Sequence, residues 1–362
     1  MSAKTGRIDL DSLFLPSGYL DMKKIMALPY SFIIIAGGRG IGKTYGALIE
    51  VKEHPEWNTL YLRSMQKEHE MIRKPKYSPF AWHNKDFGWN VQPFKEDKVA
   101  SIWCDAVLNE EKGIYEPASE PYMTSMALYD IASIRGFNGA DIQWIIYDEF
   151  NPQRGMIFRI NDDDFPNCYE TVNRNRELQG EPAVKCLLLS NSNNIDNPIY
   201  RGYGLVNKVE RMKREGQYIS AMPNRGMLLI VLPETEIGKL KRNTALYKAT
   251  SGTKFASMAL DNEFTNDTPS QVKSLNLKGM IALAKTDEFT IYQMQDKNRF
   301  YVTEFTKPKA NETFTRSHAD LTRFRKDYNY VWQAYVEKDV VFESYGAEIK
   351  FKKYFIDNVK NL

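Results

Sequence analysis

Cysteine is scarce in this chain, three in 362 residues. Cys104, Cys168 and Cys186 stand too far apart for the C-x-x-C spacing of zinc or redox pairs, so reduced thiols in a cytosolic setting are expected. Histidine is nearly as rare: His54, His69, His83 and His318 are scattered and form no metal-ligand pattern. Long apolar runs are also missing. The longest, "FIIIAG" and "MLLIVL", fall well short of the roughly 20 residues a membrane helix needs. The opening "MSAKTGRIDLDSLF" has no secretory h-region, so a soluble chain that is not exported and has no membrane partner is the expectation. Net charge is only +3, which excludes a global basic field and leaves nucleic-acid contact to a local patch. No internal repeat or low-complexity tract is present.

What is present is globular. Hydrophobic residues at 43% and charged ones at 26% supply packed cores, and the length predicts two or three domains. Short apolar runs rich in β-branched residues alternate with longer segments: 32–36, 60–63, 144–148, 184–190 and 227–233, with 99–105 and 121–128 as further strand candidates. Their unbroken hydrophobicity predicts strands buried on both faces, hence an α/β fold with a parallel-rich sheet. Residues 239–255, with Lys239, Lys241, Arg242, Lys248 and Lys254, read as a connector. Residues 288–305 predict two strands joined by "QDKN", and Phe324, Tyr328, Val331, Tyr335 and Val336 predict a helix.

The first of these strands runs into "GGRGIGKT", Gly37, Gly38, Arg39, Gly40, Ile41, Gly42, Lys43 and Thr44, a G-x-x-x-x-G-K-[ST] phosphate loop. Glycines let successive backbone N–H groups turn toward phosphate oxygens, and the following helix presents its positive end. Lys43 is expected to reach the β- and γ-phosphates, and Thr44 to ligate Mg²⁺. ATP and Mg²⁺ are the cofactors this predicts. Pro29 and Tyr30, just ahead of the strand, are candidates to pack on the base.

"WIIYDEF" ends a strand in adjacent carboxylates. Asp148 can hold the Mg²⁺ shell and Glu149 can polarise the attacking water. Such a pair alone is equally the pattern of a solvated turn; beside a phosphate loop it reads as a hydrolytic centre. "CLLLSNSNN" ends a further strand where Ser190 or Asn191 could sense the γ-phosphate. "ETVNRNRELQG" offers Arg174 and Arg176, and Arg39 and Arg135 are comparable cations for a transferring phosphoryl group.

In the order "GGRGIGKT", "YLRS", "YDEF", "TVNRNRE", "LLLSNSNN" and "GTKFASMALDNEF", the chain resembles the double-stranded DNA packaging ATPases of phi29-like tailed phages, over most of the first 270 residues. The resemblance implies an additional-strand, catalytic-glutamate ATPase domain at 1–235, a linker or lid subdomain at 236–270, and a vestigial nuclease-like, RNase-H-like domain at 271–362. It implies Walker A at Gly37–Thr44, Walker B at Asp148, catalytic Glu149, a trans-acting arginine finger at Arg174 and a second trans-acting basic residue at Arg135. Its partners would be double-stranded DNA, further copies in a ring, usually a homopentamer, the portal and procapsid, and a structural packaging RNA. It places the chain in the host cytoplasm and transiently at the portal vertex. Where active terminase nucleases carry acidic metal ligands this chain has Ile291, Tyr292 and Gln293, while Glu304, Asp320 and Asp339 form no evident two-metal set, so no nuclease activity is expected. Lys307, Lys309, Arg316, Arg323, Arg325 and Lys326 are candidate phosphate contacts of that domain. An active terminase and a non-motor ATP-binding assembly switch are the alternatives.

Overall fold

The computed structural model describes residues 8–96, 99–131, 139–151, 160–191, 194–253, 272–296, 298–304 and 310–356. The chain divides into two compact units, Met1–Tyr203 with Met212–Thr265, and Gly204–Arg211 with Asn266–Leu362.

The first unit is built on strands β1 (Phe32–Ala36), β2 (Thr59–Arg63), β3 (Val91–Lys95), β4 (Ser101–Asn109), β5 (Ile114–Pro117), β6 (Met123–Ala127), β7 (Trp144–Asp148), β8 (Lys185–Ser190), β9 (Ile219–Met222) and β10 (Met227–Val231). They form a ten-stranded sheet in the order β3-β4-β6-β2-β7-β8-β1-β10-β9, with β5 attached to β4. From β6 to β10 every pairing is parallel; β3, β4, β5 and β9 are antiparallel additions at the edges.

Central strands of such a sheet are covered on both faces, and β7 and β10 are buried at every position. Ile34 lies in register with Leu188 on one side and Leu229 on the other, so branched side chains stack across the sheet. One feature of the order decides the architecture of the site. β1 and β7 are not neighbours: β8 lies between them and pairs in parallel with both. This is the extra strand that the additional-strand class requires.

The second unit carries β11 (Ile281–Lys285), β12 (Thr290–Gln293), β13 (Phe300–Thr303), β14 (Glu312–Thr313) and β15 (Val340–Phe342). Their order is β14-β11-β12-β13-β15, an antiparallel meander with a parallel strand on each edge. An aromatic-rich core including Phe289, Phe300, Phe314, Phe324, Phe342, Phe351 and Tyr354 packs helices His318–Asp327, Asn329–Val336 and Tyr345–Ile356 on this sheet. The single helix expected around Phe324–Val336 is thus two. His318–Asp327 ends at Tyr328, whose N–H still bonds Phe324, while its hydroxyl reaches the Leu283 carbonyl and Glu312.

Candidate active site

The phosphate loop leaves β1 at the carboxyl edge of the sheet, where parallel α/β folds gather their ligands. Gly37 N–H bonds the Ser190 carbonyl at 3.2 Å, which fastens the start of the loop to the tip of β8. No side chain fits at Gly37, because a Cβ there would stand 2.8 Å from Leu232 Cβ. Gly40 and Gly42 take φ of +71° and +86°, the left-handed region open to glycine. Helix Lys43–Glu53 starts directly after them.

Lys43 is 5% exposed and folds back into the loop. Its Nζ donates to the Gly37 carbonyl at 3.0 Å and to the Gly38 carbonyl at 2.7 Å. Burial lowers its pKa to about 8, against the opposing pull of Glu149 and Asp148. An ammonium held in so little water is suited to an anion with several oxygens.

Thr44 Oγ1 donates to Asp148 Oδ1 at 3.0 Å. The other oxygen, Oδ2, accepts from the Tyr61 hydroxyl at 2.6 Å and from Arg63 Nη1 at 3.1 Å. Tyr61 and Arg63 sit two apart on β2, so they share a face of the strand beside β7. Burial works to lower the Arg63 pKa, but Tyr61, Asp148 and Glu68 outweigh it and the net shift is upward, leaving a firmly charged guanidinium. A hydroxyl and a carboxylate at this spacing form an oxygen donor set of the kind Mg²⁺ prefers.

Glu149 follows Asp148 with φ of +58°, a left-handed conformation uncommon outside glycine, Asn and Asp. Such strain persists where the surroundings enforce it. Here Phe150 N–H is tied to the Leu189 carbonyl at 3.1 Å, and Asn191 Nδ2 donates to Glu149 Oε1. Burial, then the neighbouring Asp148, raises the Glu149 pKa.

The geometry therefore brings together Gly37 to Thr44, Asp148, Glu149 and Asn191. Other candidates lie elsewhere. Arg174 is exposed at the end of helix Asp164–Asn173, with φ of +45° and its Nε donating to the Thr171 carbonyl at 3.2 Å. The preceding Asn173 accepts from Val184 N–H at 2.9 Å, just before β8 begins. Arg174 thus lies at the amino edge of the sheet, while its own phosphate loop lies at the carboxyl edge, about 20 Å away by the length of β8.

Arg176 is not a free catalytic cation. It is buried and donates to the carbonyls of Ile142, at 2.9 Å, and Ala140, clasping the turn that leads into β7. Tyr30, expected to pack on the base, is instead 2% exposed, in the core at the end of β1 remote from the loop, where it cannot reach a base. Arg135, Lys307 and Lys309 fall outside the described residues. In the second unit, Glu304 accepts from Asn207 Nδ2 at 2.9 Å and pairs with Lys350 at 3.5 Å. Asp320 is bound by Thr315, and Asp339 directly precedes β15.

Sequence reasoning missed Tyr61, Arg63 and Lys241. The Lys241 Nζ donates to the Arg39 carbonyl on the loop itself. A polar tip on an otherwise buried strand was the available signal for Arg63.

Residues 126–361 match the family described as Podovirus DNA encapsidation protein (Gp16). The chain belongs to this family. The DNA packaging protein of Bacillus phage B103 is 26% identical over 320 residues, covering 82% of this chain and 86% of that one. The DNA packaging protein of Bacillus phage phi29 is 27% identical over 205 residues, 52% of this chain and 57% of that protein. Among solved structures, a chain of the Phi-28 gp11 DNA packaging motor aligns with a TM-score of 0.62 at 18% identity, over 95% of this chain and 99% of its own length. A chain of the bacteriophage Phi-29 viral genome packaging motor assembly aligns at 0.62 with 17% identity, over 93% of this chain and 99% of that one. The encapsidation family and these packaging-motor folds accord with the resemblance carried by the loop and the YDEF strand.

Proposed function

We propose that this member of the encapsidation family is an ATPase that couples hydrolysis to translocation of double-stranded DNA into a procapsid, acting as a ring of identical subunits docked at the portal. The observation that carries it is the placement of Asp148 at the end of β7 and of Glu149 directly after it, across the inserted β8 from the phosphate loop, with Asn191 holding the glutamate.

Gly37 to Thr44 would hold the polyphosphate and Thr44 with Asp148 the Mg²⁺, which neutralises phosphate charge when bound. Lys43 exchanges its bonds to the Gly37 and Gly38 carbonyls for phosphate oxygens. Glu149, oriented by the Asn191 amide, accepts a proton from the attacking water. Tyr61 and Arg63 hold Asp148 oriented through its Oδ2.

Arg174 serves a neighbouring subunit: its place at the amino edge keeps it from its own site, and an arginine supplied in trans is a known way to stabilise a transferring phosphoryl group. Residues 1–235 are the ATPase domain, 236–270 the linker and 271–362 a vestigial nuclease-like domain without cleavage activity. That last domain contacts the portal, DNA or a packaging RNA. Arg135 is a second trans-acting cation, and the ring is a pentamer.

The test is steady-state ATP hydrolysis with and without double-stranded DNA, repeated with Glu149→Gln and with Arg174→Ala titrated into wild type. DNA-stimulated turnover, its loss in Glu149→Gln and disproportionate poisoning by Arg174→Ala are expected. Nucleotide binding without turnover under every condition, portal-bound included, would make the protein a switch. Metal-dependent DNA cleavage would make it an active terminase.

A further inference from the structure

Successive carbonyl groups of the phosphate loop are each held by an ammonium. Gly37 and Gly38 accept from Lys43, and Arg39 accepts from Lys241. Lys43 belongs to the loop motif; Lys241 arrives from the far side of the unit, as the last residue of helix Glu236–Lys241.

That helix is anchored. Thr235 Oγ1 accepts from Gly238 N–H at 3.1 Å, Gly238 is buried, and Ile237 packs on the main core beside Gly18. The loop in turn makes room for the lysine: a Cβ at Gly40 would collide with Lys241 Nζ. Lys241 is only half-buried, and it touches the loop at Arg39 and Gly40, its exposed outer rim.

The charge balance gives this contact a purpose. Lys43 interacts with Glu149, Asp148, Lys241 and Arg39, Arg39 also with Glu149, and burial followed by the nearby Arg39 pushes the Lys241 pKa down. Cations gathered this closely favour an anion among them. Lys43 is placed to bridge the β- and γ-phosphates from within the loop, so a second cation on the outer rim is left to meet a terminal-phosphate oxygen that Lys43 does not hold.

The geometry points to Lys241 as a reader of the terminal phosphate: its ammonium leaves the Arg39 carbonyl for a terminal phosphoryl oxygen of a bound nucleoside triphosphate and draws helix Glu236–Lys241 with it. This rests on the loop being the triphosphate site proposed above. A diphosphate, lacking that oxygen, leaves Lys241 on Arg39.

The experiment uses the full-length chain, Lys241→Met and Lys241→Arg, with Mg²⁺ and either a non-hydrolysable ATP analogue or ADP. Affinities come from calorimetry, amide hydrogen exchange over residues 236–250 reports the helix, and a thermal melt checks folding. Lys241→Met should weaken the analogue about tenfold, the scale of one charge-assisted hydrogen bond, and ADP less than about twofold. Lys241→Arg should keep most of the wild-type ratio. The analogue, and not ADP, should change exchange in the helix in wild type and fail to do so in Lys241→Met.

Equal losses for both nucleotides, or an unchanged ratio, would overturn the assignment. Lys43→Ala separates the two levels. If it binds the analogue like wild type, the nucleotide-site reading itself fails; if it loses binding while Lys241→Met does not, only the role of Lys241 falls.

Discussion

Replacing Arg63 by Met removes the cation that faces Asp148 and leaves the side-chain volume nearly unchanged. The pair is largely buried, with side-chain exposures of 17% and 10%. Truncating one partner of a fully buried pair costs about 3–5 kcal/mol, whereas a solvent-exposed pair is worth less than about 1. Asp148 keeps its bonds from Thr44 and Tyr61, so the cost should fall between, at about 2–3 kcal/mol. For a unit of this size that lowers the melting temperature by ~4–12 °C. Trp57, Trp82, Trp89, Trp103 and Trp144 all lie in the first unit and only Trp332 in the second, so tryptophan fluorescence follows mainly the relevant transition. A cycle with Asp148→Asn completes the test. The double variant removes both members of the pair and should be less destabilised than the sum of the singles by ~1–2 kcal/mol. A melting temperature within about 1 °C of wild type for Arg63→Met, or strict additivity, would refute the role given to Arg63.

His83 is buried, with its ring stacked 4.2 Å from Tyr45 and 5.6 Å from Trp89, and Nε2 donates to the Tyr45 carbonyl at 2.9 Å. Burial lowers its pKa against the raising effect of the Tyr45 and Pro79 carbonyls. The unfolded chain therefore binds the proton first: the contribution is whole above the ordinary value of about 6.5 and is lost as pH falls below it, by at most ~1.4 kcal/mol per unit. Urea midpoints between pH 7 and 5 should show that slope, and His83→Gln should flatten it. Gly37→Ala should cost about 1–3 kcal/mol through its collision with Leu232 Cβ, read as a lowered urea midpoint. Glu149→Gln should cut turnover by ~10²–10⁴ while a fluorescent ATP analogue binds as before; an unchanged rate would remove Glu149 as the base.

The buried strands were legible because unbroken runs such as "FIIIA" and "CLLLS" have no other stable place than a sheet covered on both faces. The loop and the Asp148–Glu149 pair were legible because their chemistry is written in adjacent residues. What escaped depends on contacts distant in sequence. Tyr61 and Arg63 matter only because β2 lies beside β7, and no local pattern states that neighbour. Arg176 looked like Arg174, since both are arginines in one polar stretch; burial against the Ala140 and Ile142 carbonyls separates them, and burial is a property of the fold. Tyr30 adjoins the loop's strand in sequence yet is separated from the loop by the full length of β1, about 17 Å.

The same distinction explains what holds the shape of the loop. A glycine-rich segment loses much conformational entropy on ordering, and a loop that waits open for phosphate would surrender part of its affinity to that ordering at each binding event. Here Lys43 and Lys241 hold the Gly37, Gly38 and Arg39 carbonyls, and Gly37 N–H is fixed to β8. A ligand then exchanges bonds instead of ordering the backbone. Because one of the two ammonium groups sits on a helix outside the loop motif, that exchange has a mechanical consequence at Glu236–Lys241. Catalytic geometry stays with the strand tips, which need not move when the nucleotide arrives.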